Sequence, residues 1–440
     1  MSKKLWGARF KKKMDEALEE FSKSIHYDYK LAIYDIYHSL IHVEALAEEK
    51  IVSPKEKERL IYALESILRD IKKGRFKFDS GSEDIHTDIQ NKVEKKIGRV
   101  TYKLHTFRSR NEQIVFDEKF YCIEEAERVS CFVKDVLKSL NYLARRHKNT
   151  FVPGYTHTQR AQVVRFSDYV GAYLAMLKRD LHKLDYFIKN TVVFVKSGAL
   201  AGSPVSKASY LKAIKKIKVK YGKKNVRIQI TPNSLDNVSD RDFIIDFLHI
   251  LSLIQMHLSR MAEDFVLYST QEFNFLDLPE EFCTGSSLMP HKKNPDFLEL
   301  VRGYTGKIYA NLVSLLVTMK GLPLTYNRDM QLDKEPLFSS VEVIKSELQI
   351  MAKFIKGIKL KSGAIKNALS DEKLYATELT AFLVYKGTSF KEAHNIVGKL
   401  IRYCENTAVT LKDVPESVLK RFHKDLSPLI IEKIVNRQVL

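Results

Sequence analysis

From Ile114 to about His147 the chain contains no glycine and no proline. A breaker-free stretch of about 35 residues reads as one helix, roughly 50 Å long at 1.5 Å per residue. A helix that long has an apolar stripe that only other long helices can cover. Pro153-Gly154 ends it, and the sequence supplies partners at 165–196, 239–273, 296–320 and 335–357. In the third of these five, Phe243, Phe247, Ile250, Ile254, Leu258, Met261 and Phe265 fall on one stripe. Breakers are scarce throughout, with 17 glycines and 11 prolines in 440 residues, which favours long helices over many-stranded sheets. The expectation is an all-α fold: an elongated bundle of five long central helices, with smaller helical N- and C-terminal domains. Its boundaries are read as 1–110, 111–357 and 358–440.

Two shorter helices precede the bundle. One spans 30–48, where Ile33, Ile36, Leu40, Val43 and Ala47 recur at steps of three and four. The next begins at Ser53-Pro54-Lys55-Glu56, a capping box with proline at the first helical position, and stops at Gly74. The segment 198–236 is rich in breakers and reads as a connection with one small strand at Arg227–Ile230. After about residue 357 shorter helical patterns begin again.

The formal net charge is +19, and Lys and Arg are spread over the whole chain apart from short runs such as Lys11–Lys13. No zinc-finger spacing or aromatic-basic signature accompanies them, so the reading is a basic surface around a site for an anionic substrate rather than nucleic-acid binding. Cys122, Cys131, Cys283 and Cys404 form no CxxC pair and no metal-ligand spacing, and read as reduced thiols. Met1 to Trp6 opens no apolar run of signal-peptide length, and no span of about 18 apolar residues is read elsewhere. The expectation is a cytoplasmic protein with no membrane segment.

Three polar segments carry the chemistry. Gly285-Ser286-Ser287-Leu288-Met289-Pro290-His291-Lys292-Lys293-Asn294-Pro295 combines small residues, two hydroxyls, two lysines and an amide. Such a loop can hold a carboxylate and handle a proton. Val152 to Gln162 carries a histidine, which titrates near neutrality, between two threonines. Leu104 to Gln113 offers two arginines and an amide, a set suited to a dicarboxylate.

The first segment resembles the signature G-S-S-x-M-P-x-K-x-N-P of the fumarase/aspartase superfamily. The second resembles that group's P-G-Y-T-H-x-Q-x-A-Q. The third, with Glu83-Asp84-Ile85-His86, resembles the L-H-T-G-R-S-R-N-D-Q and E-D-I/V-H stretches of the argininosuccinate lyase family. Phe21 to Asp28, Asn233 to Asp242 and Thr325 to Glu335 agree with the same family, so the likeness runs from Leu5 to about 340. The resemblance implies Ser286 as the proton-abstracting base, His157 as its acid-base partner and Lys292 as the cation that lowers the serine pKa. It implies substrate binding by Ser24, Arg108, Asn111, Thr156, Asn294, Tyr326, Gln331 and Lys334. A serine hydroxyl is far too weak an acid to act as a base without a nearby cation and loop closure. The sequence leaves open which of Ser286 and His157 takes the proton, and what protonates the leaving nitrogen.

By this resemblance the reaction is β-elimination of argininosuccinate to arginine and fumarate, with no cofactor and no metal. The alternatives are a sister lyase that releases fumarate from another substrate, a basic nucleic-acid-binding protein, and an inactive crystallin-like homologue. Phe107 stands where the pattern has Gly, Glu112 where it has Asp, Thr158 for Leu and His291 for Gln; the common F-P-I-D-R after Gly202 is absent. Finally, Asn111 at one end of the first long helix and His157 beyond the other are separated by about 50 Å. A site using both must draw on another subunit, and the resemblance implies a homotetramer with shared sites.

Overall fold

A computed structural model of the chain describes residues 12–222 and 225–436. The N-terminal segment read above for the absence of a signal-like run lies outside the described residues, as do Leu5 and Lys11. Five long helices are present, at Arg110–Arg146, Phe166–Asn190, Asp242–Ser269, Asp296–Met319 and Lys334–Gly357. Each matches one expected from the sequence. The first has 37 residues, about 55 Å of helix.

The capping box is formed as written: the Ser53 hydroxyl accepts from Glu56 N, and the Glu56 carboxylate accepts from Ser53 N at 2.9 Å. It opens the helix Pro54–Lys72, and Gly74 beyond the end takes φ +66°. Two expectations need correction. The second long helix stops at Asn190 rather than 196, because Val193–Val195 leave it to form a parallel pair with Ile228–Ile230. Thr191-Val192-Val193-Phe194-Val195 is β-branched and aromatic, which suits a strand better than a helix end. The breaker-rich connection also contains a helix, Lys207–Lys220, capped by Ser206 and burying Tyr210, Ala213, Ile214 and Ile217. Those positions follow helical spacing that the flanking glycines and prolines obscure.

The third long helix, Asp242–Ser269, is long and apolar enough by length and composition to cross a membrane, contrary to the sequence expectation. Its apolar face is instead buried within the protein: Phe247, Leu251, Ile254, Leu258 and Phe265 are fully enclosed. It is a core helix.

The chain divides into two compact units. The first comprises residues up to 134 with 178–258 and 303–349; the second comprises 135–177, 259–302 and 350 onward. In the first, the helix Ala32–Glu48 lies against Pro54–Lys72 and Lys207–Lys220. It is buried along almost its whole length, yet it carries Asp35, His38, Ser39 and His42 inward. In the second, the helices between Ala376 and Val435 enclose their own core of Leu379, Leu383, Val397, Leu400, Leu419 and Ile431. Val163, from a β-hairpin, is part of that core.

Candidate active site

That hairpin corrects the reading of 152–162 as a plain loop. Phe151–Thr156 pairs antiparallel with Gln159–Arg165, and Gly154 sits at a bulge where a Cβ would meet Gln162 O and Val164 at 3.0 Å. Thr156 pairs with Gln159, so His157 and Thr158 alone form the turn. Their φ values are +52° and +58°. A two-residue turn with both central residues left-handed suits the twist of a hairpin, but it normally demands Asn-Gly. A β-branched threonine there is an outlier, and such strain persists only where the surroundings impose it. Here Val163 is locked into the helical core, Tyr155 packs against Phe273 at 5.4 Å, and Arg160 pairs with Asp371 at 3.2 Å. Thr156 and His157 stand exposed at the tip.

The 285–293 loop is anchored at its base and open at its crown. Thr284 and Asn294 form an antiparallel bridge, with N–H to O distances of 3.1 and 2.8 Å. Lys293 reaches back to Asp277 and to Leu278 O, and Phe282 packs on Phe354. The Asn294 amide donates to Gly285 O at 3.3 Å. Above this base, Ser286 closes a small turn by accepting from Leu288 N and Met289 N. Lys292 is exposed, and its ammonium meets no acceptor among the described residues. Thus Thr156, His157, Ser286, Lys292 and Asn294 all belong to the second unit. No hydrogen bond or ion pair among the described residues links the hairpin tip to the 285–293 loop.

The other six candidates belong to the first unit. Ser24 donates to Asp28 at 2.6 Å, and both are buried. Gln331 donates to Ser22 O and to the Tyr27 hydroxyl. Lys334 is almost wholly enclosed, and its ammonium contacts Asp333 at 2.7 Å and Glu118 at 2.8 Å. Burial opposes its charge, but these two carboxylates hold its pKa above the ordinary lysine value. Arg241, fully buried, completes the cluster through Asp333 and Glu118. Burial raises Tyr326, against the pull of Lys334 and Arg241. Ser24, Tyr326, Gln331 and Lys334 are therefore gathered around one patch whose charge is balanced internally. Asp28 lies in it too, and its carboxyl is pushed up to about 6 by burial and by the charge of Asp84.

The Arg108–Asn111 segment connects to that patch. Arg110 is occupied, pairing with Asp84 at 3.2 Å and donating to Thr87 and Gln113. Arg108 donates to Ser39 at 3.1 Å, while its buried Nε has no acceptor. Asn111 N is capped by Ser109 at 3.2 Å, which sets the start of the first long helix. Glu112, longer than the aspartate of the usual pattern, is buried and accepts from Lys196 N at 2.7 Å and Gly198 N at 2.6 Å. Gly198 cannot be replaced there: φ is +57°, and a Cβ would come within 2.5 Å of Gly202 O.

Sequence reasoning passed over the buried network beneath this segment. Asp35 accepts from His86 at 3.0 Å and from Gln113 at 2.7 Å, and Asp117 lies 3.6 Å from the same imidazole nitrogen. Linear spacing shows no metal set, yet the fold brings ligand atoms of Asp35, His86 and Asp117 within 4.8 Å of one another. Asp35 already accepts from two donors, and Arg108 and Arg110 act on both carboxylates. The two donors on Asp35 tie His86 to Gln113 in the first turn of the long helix, while both oxygens of the buried Asp117 lack a hydrogen-bond partner. The signal for Asp28, Glu118, Arg241 and Asp333 was an acidic or basic residue inside or beside an apolar helical pattern, where an unpaired charge is costly.

Residues 8–310 match a family model described as "Lyase", and residues 373–439 match one described as "Argininosuccinate lyase C-terminal". The argininosuccinate lyase of Geotalea daltonii is 41% identical over 434 residues, covering 98% of this chain and 92% of that protein. That of Carboxydothermus hydrogenoformans is 42% identical over 437 residues, covering 99% and 92%. Among solved structures, a fumarate lyase:delta crystallin from Brucella melitensis bound to cobalt superposes with a TM-score of 0.79 at 17% identity, covering 96% of this chain and 94% of that one. A class II fumarase from Schistosoma mansoni gives 0.77 at 16%, covering 95% and 93%. At such identities the structures speak for the fold alone, and the helical architecture agrees with it. On the near-complete match in sequence, the chain belongs to the argininosuccinate lyase family of the fumarase/aspartase superfamily.

Proposed function

We propose that the protein splits argininosuccinate into arginine and fumarate, a carbon–nitrogen lyase reaction of arginine biosynthesis. The observation that carries this reading is the 285–293 loop: a serine hydroxyl and an unpartnered lysine on a crown whose base is fastened by the Thr284–Asn294 bridge. An elimination of this kind needs a base and a charge stabiliser on an element that can cover the substrate.

In the proposed sequence, a base removes the proton from the succinyl carbon adjacent to the carbon that bears nitrogen. The electron pair delocalises into the neighbouring carboxylate, where Lys292 and Asn294 balance the charge. The C–N bond then breaks toward the guanidino nitrogen, which takes a proton from an acid and leaves as arginine. Ser286 and His157 are the two groups assigned to these proton transfers. Ser24, Arg108, Asn111, Thr156, Tyr326, Gln331 and Lys334 bind the substrate. No step calls for a metal or an organic cofactor.

Asn111 lies in the first turn of a 37-residue helix, Arg110–Arg146, and His157 follows its last residue in sequence. We propose that one site takes Asn111 from one chain and His157 and Ser286 from others, in a homotetramer. The four cysteines are all free thiols, which agrees with a cytoplasmic setting. To test the activity, the protein is given argininosuccinate, adenylosuccinate, aspartate or malate, and fumarate is followed. Release from argininosuccinate alone is expected; release from adenylosuccinate alone, or from none, overturns the reading.

A further inference from the structure

Between His105 and Arg108 stands a residue whose ring the fold does not use. Arg108 N donates to His105 O at 3.1 Å, closing a four-residue turn with Thr106 and Phe107 at its centre. Phe107 takes φ +62° while Thr106 does not enter the left-handed region. That is the third position of a turn that ordinarily requires glycine. Glycine also stands there in the family pattern. Phe107 is 51% exposed, and its ring stacks on no other ring among the described residues. A bulky residue in this conformation is uncommon, and an exposed phenyl recovers little burial in return.

The turn is held on both sides. His42 Nε2 lies 2.8 Å from Thr106 O, and the Arg108 guanidinium is fixed by Ser39. The backbone on either side of Phe107 is thus fixed, and Phe107 stands next in sequence to Arg108. On the functional reading above Arg108 takes a carboxylate of the substrate, and an exposed apolar ring beside it in the chain suits the carbon skeleton that bears that carboxylate.

We propose that Phe107 is a specificity-determining wall of the substrate site, its ring packing on the carbon skeleton of the dicarboxylate gripped by Arg108 and Asn111. The inference rests on the functional reading above. Phe107→Ala removes the ring and keeps the Cβ; Phe107→Gly also frees the backbone. Because the ring is what acts, both variants should raise KM for argininosuccinate alike, at least about fivefold, with a smaller change in kcat. Phe107→Tyr, which keeps the ring, should restore KM. An unchanged KM in both truncated variants overturns the proposal. So does a rise in the glycine variant alone, which would trace the effect to backbone stiffness. A shift to smaller species in gel filtration would make the ring a subunit contact and also overturn it. Wild-type turnover separates the two levels: if the wild type releases no fumarate, the functional reading fails and this proposal with it. If it does and the variants match it, only the role of Phe107 fails.

Discussion

The Ser286 hydroxyl accepts a hydrogen bond from Met289 N at 3.0 Å, three residues along its own loop. The donor lies in an exposed turn where water can replace the acceptor, so removing the hydroxyl costs at most about 1 kcal/mol. Ser286→Ala should therefore melt within a few degrees of the wild type while losing more than about nine-tenths of kcat. A variant that keeps more than a tenth of the rate would exclude Ser286 as the base.

His157→Asn separates chemistry from backbone. Asparagine tolerates φ near +52° better than most residues, so the hairpin should keep its form while the ionisable ring is lost. Steady-state kinetics should show the defect in kcat. A defect confined to KM would make His157 a binding group and place the acid-base partner elsewhere.

The neighbouring Thr158 carries the larger conformational penalty, being β-branched at φ +58°. Thr158→Asn should stabilise the protein by up to about 1 kcal/mol, an upward shift of a few degrees in thermal unfolding. A lower midpoint would show that the threonine is held there by contacts worth more than the strain.

These residues also show how far the sequence could be read. The five long helices were legible because a helix of that length shows its apolar stripe in one dimension, and in the first and third no glycine or proline interrupts it. The Ser53 cap was legible for the same reason, since its partners lie three residues apart. The hairpin was not: Pro153 and Gly154 read as loop signals, and His157-Thr158 lacks the usual turn residues. Nor was the Glu118–Arg241–Asp333–Lys334 cluster, whose members from three distant stretches meet only in the folded core. The loop motifs named candidate residues, but geometry was needed to find Arg110 already paired with Asp84 and the buried Nε of Arg108 left without an acceptor.

Asp28 offers a test by pH. Its carboxyl is raised from 3.8 to about 6 by burial and the nearby Asp84 charge. Between these values the folded state holds more protons than the unfolded one, so stability falls as pH rises through the window and the loss is complete above about 6. The full difference is worth roughly 3 kcal/mol at 1.36 kcal/mol per pKa unit. Asp28→Asn removes the buried charge, so its stability relative to the wild type should improve from about pH 4 to about pH 7 in urea titrations. A difference that does not vary with pH would show that Asp28 is ionised throughout, stabilised by its bonds from Ser24 and Ile85 N.

Complementation tests whether one site acts on argininosuccinate with residues from more than one chain, as proposed above. Asn111→Ala and Ser286→Ala variants, each inactive alone, are mixed under conditions that allow subunits to exchange, and fumarate release from argininosuccinate is measured. Hybrids should regain part of the wild-type rate, because some sites receive both an intact Asn111 and an intact Ser286. Hybrids shown to have formed, yet with no activity above that of either parent, would contradict the claim.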